Sequence, residues 1–355
     1  MDFIEIKGYK SIKNAKIELA PINILIGANG SGKSNFISFF DFLNSLYEKK
    51  LRAYVALNGG ENKMLHRGKK VTDELYFHLE FDGGRNGYAA ELKLGVEGLI
   101  FAKELSIYEG NSAEISNYGE EAAVKYDTTY RSRYVREYLQ GLRKYHFHDT
   151  SSKSPFTNMS HIENDIFYLY PYGDNLAAYL YHIRATHPKY YNRILQTIQS
   201  VAPYFSDFYL EPNSEKTLRL LWKDKYSDII YGANDFSDGT LRFIALTVLF
   251  MQPKLPDTII IDEPELGLHP FAINKLSGMI KSASKKGCQI IAATQSVELL
   301  SLFEPEDVIT VDQVNGESQF KRLNRDDLKE WLEDYYSIGE LWKKNIFGGQ
   351  PNYNL

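Results

Sequence analysis

The chain has a single cysteine, Cys288. No internal disulfide can hold it together, and a reducing compartment, the cytoplasm, is expected. Cys288 precedes an apolar strand pattern, which suits a small buried residue better than a reactive thiol. Apolar runs long enough to cross a bilayer are missing. The first residues alternate as a strand and not as a signal peptide, so no membrane association is expected. Basic residues are in deficit: 41 Lys and Arg stand against 46 Asp and Glu, a net charge of −5. That weighs against general nucleic-acid affinity, although a local basic face is compatible with it. Sustained heptads, internal repeats and low-complexity tracts are absent too. What is left is an ordinary globular composition, 43% hydrophobic and 25% charged, in 355 residues. Such a chain can bury the core of one large domain or two.

Against that background one stretch stands out, Gly27-Ala28-Asn29-Gly30-Ser31-Gly32-Lys33-Ser34. It fits G-x-x-x-x-G-K-[ST], follows the apolar run Ile22–Ile26, and leads into a helical pattern from Lys33 to about Tyr47. Strand, glycine loop and helix together make a phosphate site. The glycines let successive N–H groups converge on one anion, and the helix start adds unpaired donors and a positive dipole end. Lys33 is expected to reach the β- and γ-phosphates of ATP, and Ser34 to place its hydroxyl on Mg²⁺.

Strand patterns precede and follow this loop, at residues 3–7, 12–19, 73–81, 88–94 and 100–108. Asp82-Gly83-Gly84 and Asn86-Gly87 punctuate them, so an antiparallel meander is expected beside the nucleotide site. From about Asn111 the pattern changes. Helices are expected over 126–142, 174–186 and 189–201, separated by a polar loop at 151–158, with strand-like pieces at 208–210 and 218–222. Many of the 26 tyrosines fall between Tyr108 and Tyr231, where they suit the core or an interface of a helical subdomain better than stacking on bases. After Thr240, helices alternate with buried strands at 258–262, 289–294 and 307–311, the sign of a mostly parallel sheet. The expected division is an ATPase lobe at 1–110, a helical, Tyr-rich insertion at 111–225, and a second ATPase lobe with the C-terminal tail at 226–355.

Four further segments carry chemistry. The apolar strand Thr258–Ile261 ends in Asp262-Glu263, two carboxylates at the carboxyl edge of a parallel sheet, where ligands bind. Asp262 is expected to hold Mg²⁺, and Glu263 to serve as general base toward the attacking water. In Ser237-Asp238-Gly239-Thr240 a hydroxyl, a glycine and a helix start face an anion together, although the same residues make a common helix cap. Glu263-Pro-Glu-Leu-Gly-Leu-His-Pro270 leaves the Asp-Glu strand. Thr294-Gln295-Ser296 ends the next one, where Gln295 can meet a γ-phosphate or water, or simply cap a helix.

In this order GANGSGKSN, FSDGTLRF, IIIDEPELGLHP and AATQS resemble ATPases of the ABC class, in the branch with RecF, SMC and overcoming-lysogenisation-defect proteins. The chain is most similar to compact bacterial "AAA family" ATPases linked to DNA repair or phage defence. The likeness extends over nearly the whole chain, more loosely at 172–178 and 336–342. It implies an α/β P-loop ATPase head, a mixed sheet with an antiparallel meander plus a mostly parallel core sheet, carrying a helical insertion. It implies phosphate contacts from Asn29, Gly30, Ser31, Gly32, Lys33, Ser34 and Asn35, and nucleotide contacts from Lys10 and Ser11. It also implies a head-to-tail homodimer in which Ser237 and Gly239 reach the γ-phosphate held by the sister chain. Departures are plain: Ser-Asp-Gly-Thr replaces Ser-Gly-Gly-Gln, Gln295 stands where many relatives carry His, no Q-loop glutamine stands out, and an insertion of ~100 residues separates the motifs.

Four readings follow. In the first, an ATP-hydrolysing, ATP-dimerised head regulates a separate effector such as a nuclease. In the second, a nucleotide-gated scaffold turns over slowly and assembles a protein complex. In the third, a RecF-like dimer binds DNA through Arg131, Arg133, Arg136, Arg143 and Lys144, residues that equally suit a solvated helix face. The fourth, a transporter's ATPase subunit, sits poorly with the long insertion.

Overall fold

The computed structural model describes residues 1–350 except 97, 334 and 335; the last five residues of the expected C-terminal lobe lie outside the described residues. Two compact units are formed, one from Met1–Leu142 with Gln289–Leu355 and one from Arg143–Cys288.

The first unit opens with β1 (Phe3–Tyr9) and β2 (Ile12–Glu18), antiparallel about a turn at Lys10-Ser11. Then come β3 (Ile22–Ile26), helix α1 (Lys33–Tyr47) and the short helices α2 (Leu51–Leu57) and α3 (Glu61–Met64). Strands β4 (Glu74–Phe81), β5 (Asn86–Gly95), β6 (Gly98–Tyr108) and β7 (Asn111–Ser116) join β1 and β2 in a six-stranded sheet, ordered β2-β1-β4-β5-β6-β7. Each neighbouring pair is antiparallel. The meander runs one strand further than the sequence pattern suggests. β7 is reached through Glu109 and Gly110, both at positive φ, as a tight hairpin turn requires. Its residues, Asn-Ser-Ala-Glu-Ile-Ser, are mostly polar and show little alternation. Helix α4 (Tyr130–Gly141) completes this stretch.

The second unit holds β8 (Leu142–Tyr145), β9 (Ser160–His161), α5 (Leu176–Thr186) and α6 (Pro188–Val201). It continues with β10 (Phe205–Tyr209), β11 (Thr217–Leu218), β12 (Leu221–Asp224), β13 (Ile230–Gly232), α7 (Asp238–Met251), β14 (Thr258–Asp262) and α8 (Pro270–Lys285). The largely helical middle stretch carries two small antiparallel sheets, β10-β12-β13 and β11-β9, and the strand-like pieces expected at 208–210 and 218–222 overlap β10, β11 and β12. Their strands are too short for period-two alternation to show.

The chain then returns to the first unit with β15 (Gln289–Thr294), α9 (Val297–Leu300), β16 (Val308–Val314), β17 (Glu317–Arg322), α10 (Lys329–Glu333) and α11 (Ile338–Lys343). β15 and β16 both run parallel to β3, and β17 runs antiparallel to β16. Fold class is therefore as expected, an α/β protein combining an antiparallel meander with a mostly parallel sheet. The β16–β17 hairpin turns at Asn315-Gly316, both at positive φ. That dipeptide is the strongest short hairpin signal a sequence offers.

α1 is what these sheets enclose. Phe39 and Phe42 meet Tyr9 of β1 and Phe77 of β4, with ring centroids 5.1 to 6.3 Å apart. On another side Phe36 meets Phe320 of β17 at 5.4 Å. Phe36, Phe39 and Phe42 are fully buried. Each such side chain is worth about 1.5–3 kcal/mol of burial, so the start of α1 is anchored rigidly.

Candidate functional site

β3 is buried at all five positions and delivers the chain to the loop. Its register with β15 sets Ile26 opposite Thr294. Gln295, the next residue, is thereby brought to the glycine loop, and it lines a cleft of ≈ 120 Å³ with Asn29, Gly30, Gly32, Lys33, Ser34 and Asn35. Within this unit the structure brings together the loop residues and Gln295.

α1 begins with no side-chain cap, no acidic residue in its first turn, and Gly32 at φ +113°. Its first N–H groups are therefore not satisfied by a capping side chain. A Cβ on Gly32 would stand 1.9 Å from Ser318 Oγ, so glycine is required there for space as well as for φ. Lys33 is buried, and its Nζ donates to the carbonyls of Gly27 at 2.6 Å and Ala28 at 3.0 Å. The ammonium thus lies across the loop it belongs to. The Ser31 hydroxyl is buried with no hydrogen-bond partner among the described residues. A helix start without a side-chain cap, a cation folded into the loop and an orphaned hydroxyl are the features an inserted phosphate would satisfy.

Ser11 and Lys10 sit in the β1–β2 turn. Ser318 Oγ is 2.7 Å from the Ser31 carbonyl and 2.7 Å from Ser11 Oγ, and Asn35 Nδ2 donates to Ser11 Oγ at 2.7 Å. A carbonyl only accepts, so the protons run from Asn35 to Ser11 to Ser318 to Ser31. Ser11 therefore ties the β1–β2 turn to the loop. Lys10 Nζ donates to Ser38 Oγ at 2.8 Å. Both residues line a larger cleft of ≈ 560 Å³, which shares Asn35 with the first and is also lined by Asn58, Asn62, Leu65 and Arg67.

The other expected residues belong to the second unit. β14 ends at Asp262, and Glu263 follows at φ +41°, a left-handed conformation that costs a glutamate about 1 kcal/mol or more. His148 Nε2 donates to the Asp262 carbonyl at 2.9 Å. Ser237 is the N-cap of α7: its Oγ accepts from Thr240 N at 3.2 Å and lies 2.8 Å from Thr240 Oγ1. A Cβ on Gly239 would stand 2.2 Å from the Gly267 carbonyl, in the loop leaving β14. Packing inside this unit is reason enough for that glycine.

A family model described as "AAA domain, putative AbiEii toxin, Type IV TA system" matches residues 22–301. The chain belongs to this AAA-domain family. Among curated proteins, the "Old nuclease" of Escherichia phage P2 is 22% identical over 94% of the chain. The chain spans 62% of that protein's length. The "Energy-coupling factor transporter ATP-binding protein EcfA" of Methanocaldococcus jannaschii is 31% identical over only 21% of the chain and 26% of its own length. Among solved structures, an SMC head bound to the C-winged helix domain of ScpA aligns over 94% of this chain and 99% of that one, with a TM-score of 0.60 at 17% identity. A Pyrococcus furiosus SMC head bound to the C-terminal domain of ScpA gives 0.56 at 16% identity, covering 94% and 98%. At such identities the likeness is one of fold, and the fold of this AAA-domain protein is that of an SMC-type ATPase head.

Sequence reasoning missed the roles of three residues, Ser318, Arg242 and His148. Ser318 requires the β16–β17 hairpin, which Asn315-Gly316 signals. Arg242 is buried on α7. Its Nε donates to Phe147 O at 3.0 Å, Nη2 to His148 O at 3.1 Å, and Nη1 to Leu266 O. Burial pulls its guanidinium below the ordinary value. Arg242 and His148 thus lace the start of α7, the 146–148 segment and the end of β14 together. Nothing local marks those pairings. Of the arginines considered for DNA, Arg133 pairs with Glu137 at 2.9 Å and Arg136 donates to the Asp127 carbonyl, while Arg143 lies 3.8 Å over the Tyr168 ring. No described helix is long and apolar enough to cross a membrane.

Proposed function

We propose that this AAA-domain protein binds ATP with Mg²⁺ and hydrolyses it as a head-to-tail dimer that regulates a partner effector, a nuclease in the first instance, in DNA repair or phage defence. The observation carrying this reading is the start of α1: uncapped, free of acid, and faced by Lys33 and an unpartnered Ser31 hydroxyl. The N–H groups from Asn29 to Asn35 hold the phosphates, and Lys33 turns from the loop carbonyls to phosphate oxygen. Lys10, Ser11 and Asn35 face the nucleoside end, in the larger cleft.

Magnesium in such sites takes one or two protein oxygens and fills the rest with phosphate and water, neutralising charge that develops on the phosphate oxygens. Ser34 and Asp262 would supply those two oxygens. Glu263 takes the proton of the attacking water, and Gln295 orients that water or the γ-phosphate. Ser237 and Gly239 of the sister chain complete the pocket, so ATP acts as the dimer's glue. The family description, the SMC-type fold and the likeness to a phage protein named as a nuclease support an effector partner. Gln295 cannot exchange a proton near neutral pH, and that favours, as a second reading, slow turnover and a nucleotide-gated scaffold.

Calorimetry with ATP and magnesium, paired with sedimentation of Glu263→Gln, tests this. Saturable magnesium-dependent binding and a nucleotide-trapped dimer are expected. An absence of binding sinks the reading, and binding without association sinks its shared-pocket half.

A further inference from the structure

The second unit carries a feature that nucleotide chemistry leaves unused. Helices α6 and α8 contain no Asp or Glu, yet carry Lys189, Arg193, Lys275, Lys281 and Lys285, with Lys286 immediately after. In a chain of net charge −5 that is a marked local reversal. Between α6, the end of α7 and α8 lies a half-open slot of ≈ 290 Å³. Phe250, Met251 and Met279 supply its apolar surface, and Arg193, Lys275 and Lys286 line it as well. Among the described residues these three cations make no ion pair. Lys275 lies 5.3 Å over the Phe271 ring and Lys286 6.0 Å over the Tyr190 ring.

Gly278 adds an independent observation. It sits in the interior of α8, where glycine weakens a helix, and a Cβ there would meet nothing within 4 Å. Neither φ nor internal packing requires it. Gly278 does line the slot, and a side chain there would narrow it.

We propose that this slot docks an acidic segment of a partner protein, one apolar side chain entering between the methionines and flanking carboxylates meeting Arg193, Lys275 and Lys286. A nucleic-acid backbone explains the cations but not a concave apolar floor, whereas an apolar anchor ringed by carboxylates explains both. The surface goes beyond the nucleotide reading and does not depend on it.

Fluorescence anisotropy on the full chain, without nucleotide, tests the proposal. The probe is a short fluorescein-labelled peptide with one phenylalanine flanked on both sides by glutamates. It is expected to bind, more weakly as salt rises. Replacing its phenylalanine by glycine should weaken binding about tenfold or more, and so should Arg193→Glu with Lys275→Glu in the protein. Gly278→Leu should abolish binding while thermal stability holds or rises, which separates an occluded slot from a misfolded one. Absence of binding overturns the proposal, as does equal affinity for the phenylalanine and glycine peptides. So does a duplex oligonucleotide that binds more tightly and loses that affinity on charge reversal. Self-association abolished by Arg193→Glu would assign the face to a second copy of the chain instead.

Discussion

The starts of α1 and α7 are both glycine-containing helix N-termini, and each was read from sequence as an anion site. Their chemistry differs. α1 has no side-chain cap and no first-turn acid, and a buried lysine is folded into its loop. α7 caps itself through Ser237, carries Asp238 in its first turn, and leaves Ser237 exposed. Within one chain, then, α1 starts with no side-chain cap and α7 caps one of its first N–H groups itself. A helix start whose N–H already donates to its own cap hydroxyl, with a carboxylate in its first turn, gains less from an anion.

This contrast can be broken by substitution. The largest effect is expected at Lys33→Ala, which removes the buried cation folded into the glycine loop. Affinity for magnesium ATP should fall by over a hundredfold, about 3 kcal/mol or more, by calorimetry. Removing Ser237 should leave the binding of a single chain to ATP unchanged. Next comes Gly32→Ala. A left-handed φ and a Cβ at 1.9 Å from Ser318 Oγ should together cost about 3 kcal/mol in urea unfolding, with or without nucleotide. Gly239→Ala should cost about 2 kcal/mol without nucleotide, because its Cβ meets the Gly267 carbonyl. A neutral result would return that glycine to a purely ligand-driven role. Smallest is Ser237→Ala, about 1 kcal/mol for a lost cap, with Ser237→Gly costing only a few tenths. If the two cost the same, Ser237 is not acting as a cap.

Much of the site was legible without coordinates. β3, α1, β14 and β15 have the bounds that their apolar runs and punctuation announced, since a buried strand beside a glycine loop is a local pattern. β7 and β17 were not read, although Glu109-Gly110 and Asn315-Gly316 mark their turns. Their residues are half-exposed and polar, so alternation was weak. Of the small sheets in the middle stretch, the strand-like pieces at 208–210 and 218–222 touch β10, β11 and β12, while β9 and β13 are too short to show a pattern.

Local sequence determined where the glycine loop between β3 and α1 forms, because turn, strand and helix signals there act over a few residues. Tertiary structure alone decided how the loop is held. Ser318 reaches Ser31 and Ser11 only through long-range pairing, and Arg242 finds its three carbonyls only after α7, the 146–148 segment and the loop after β14 have packed. Tertiary structure also decided that the cations of α6 and α8 share one slot. Such contacts join residues distant along the chain, so no window of sequence contains both partners; burial and strand register bring them together.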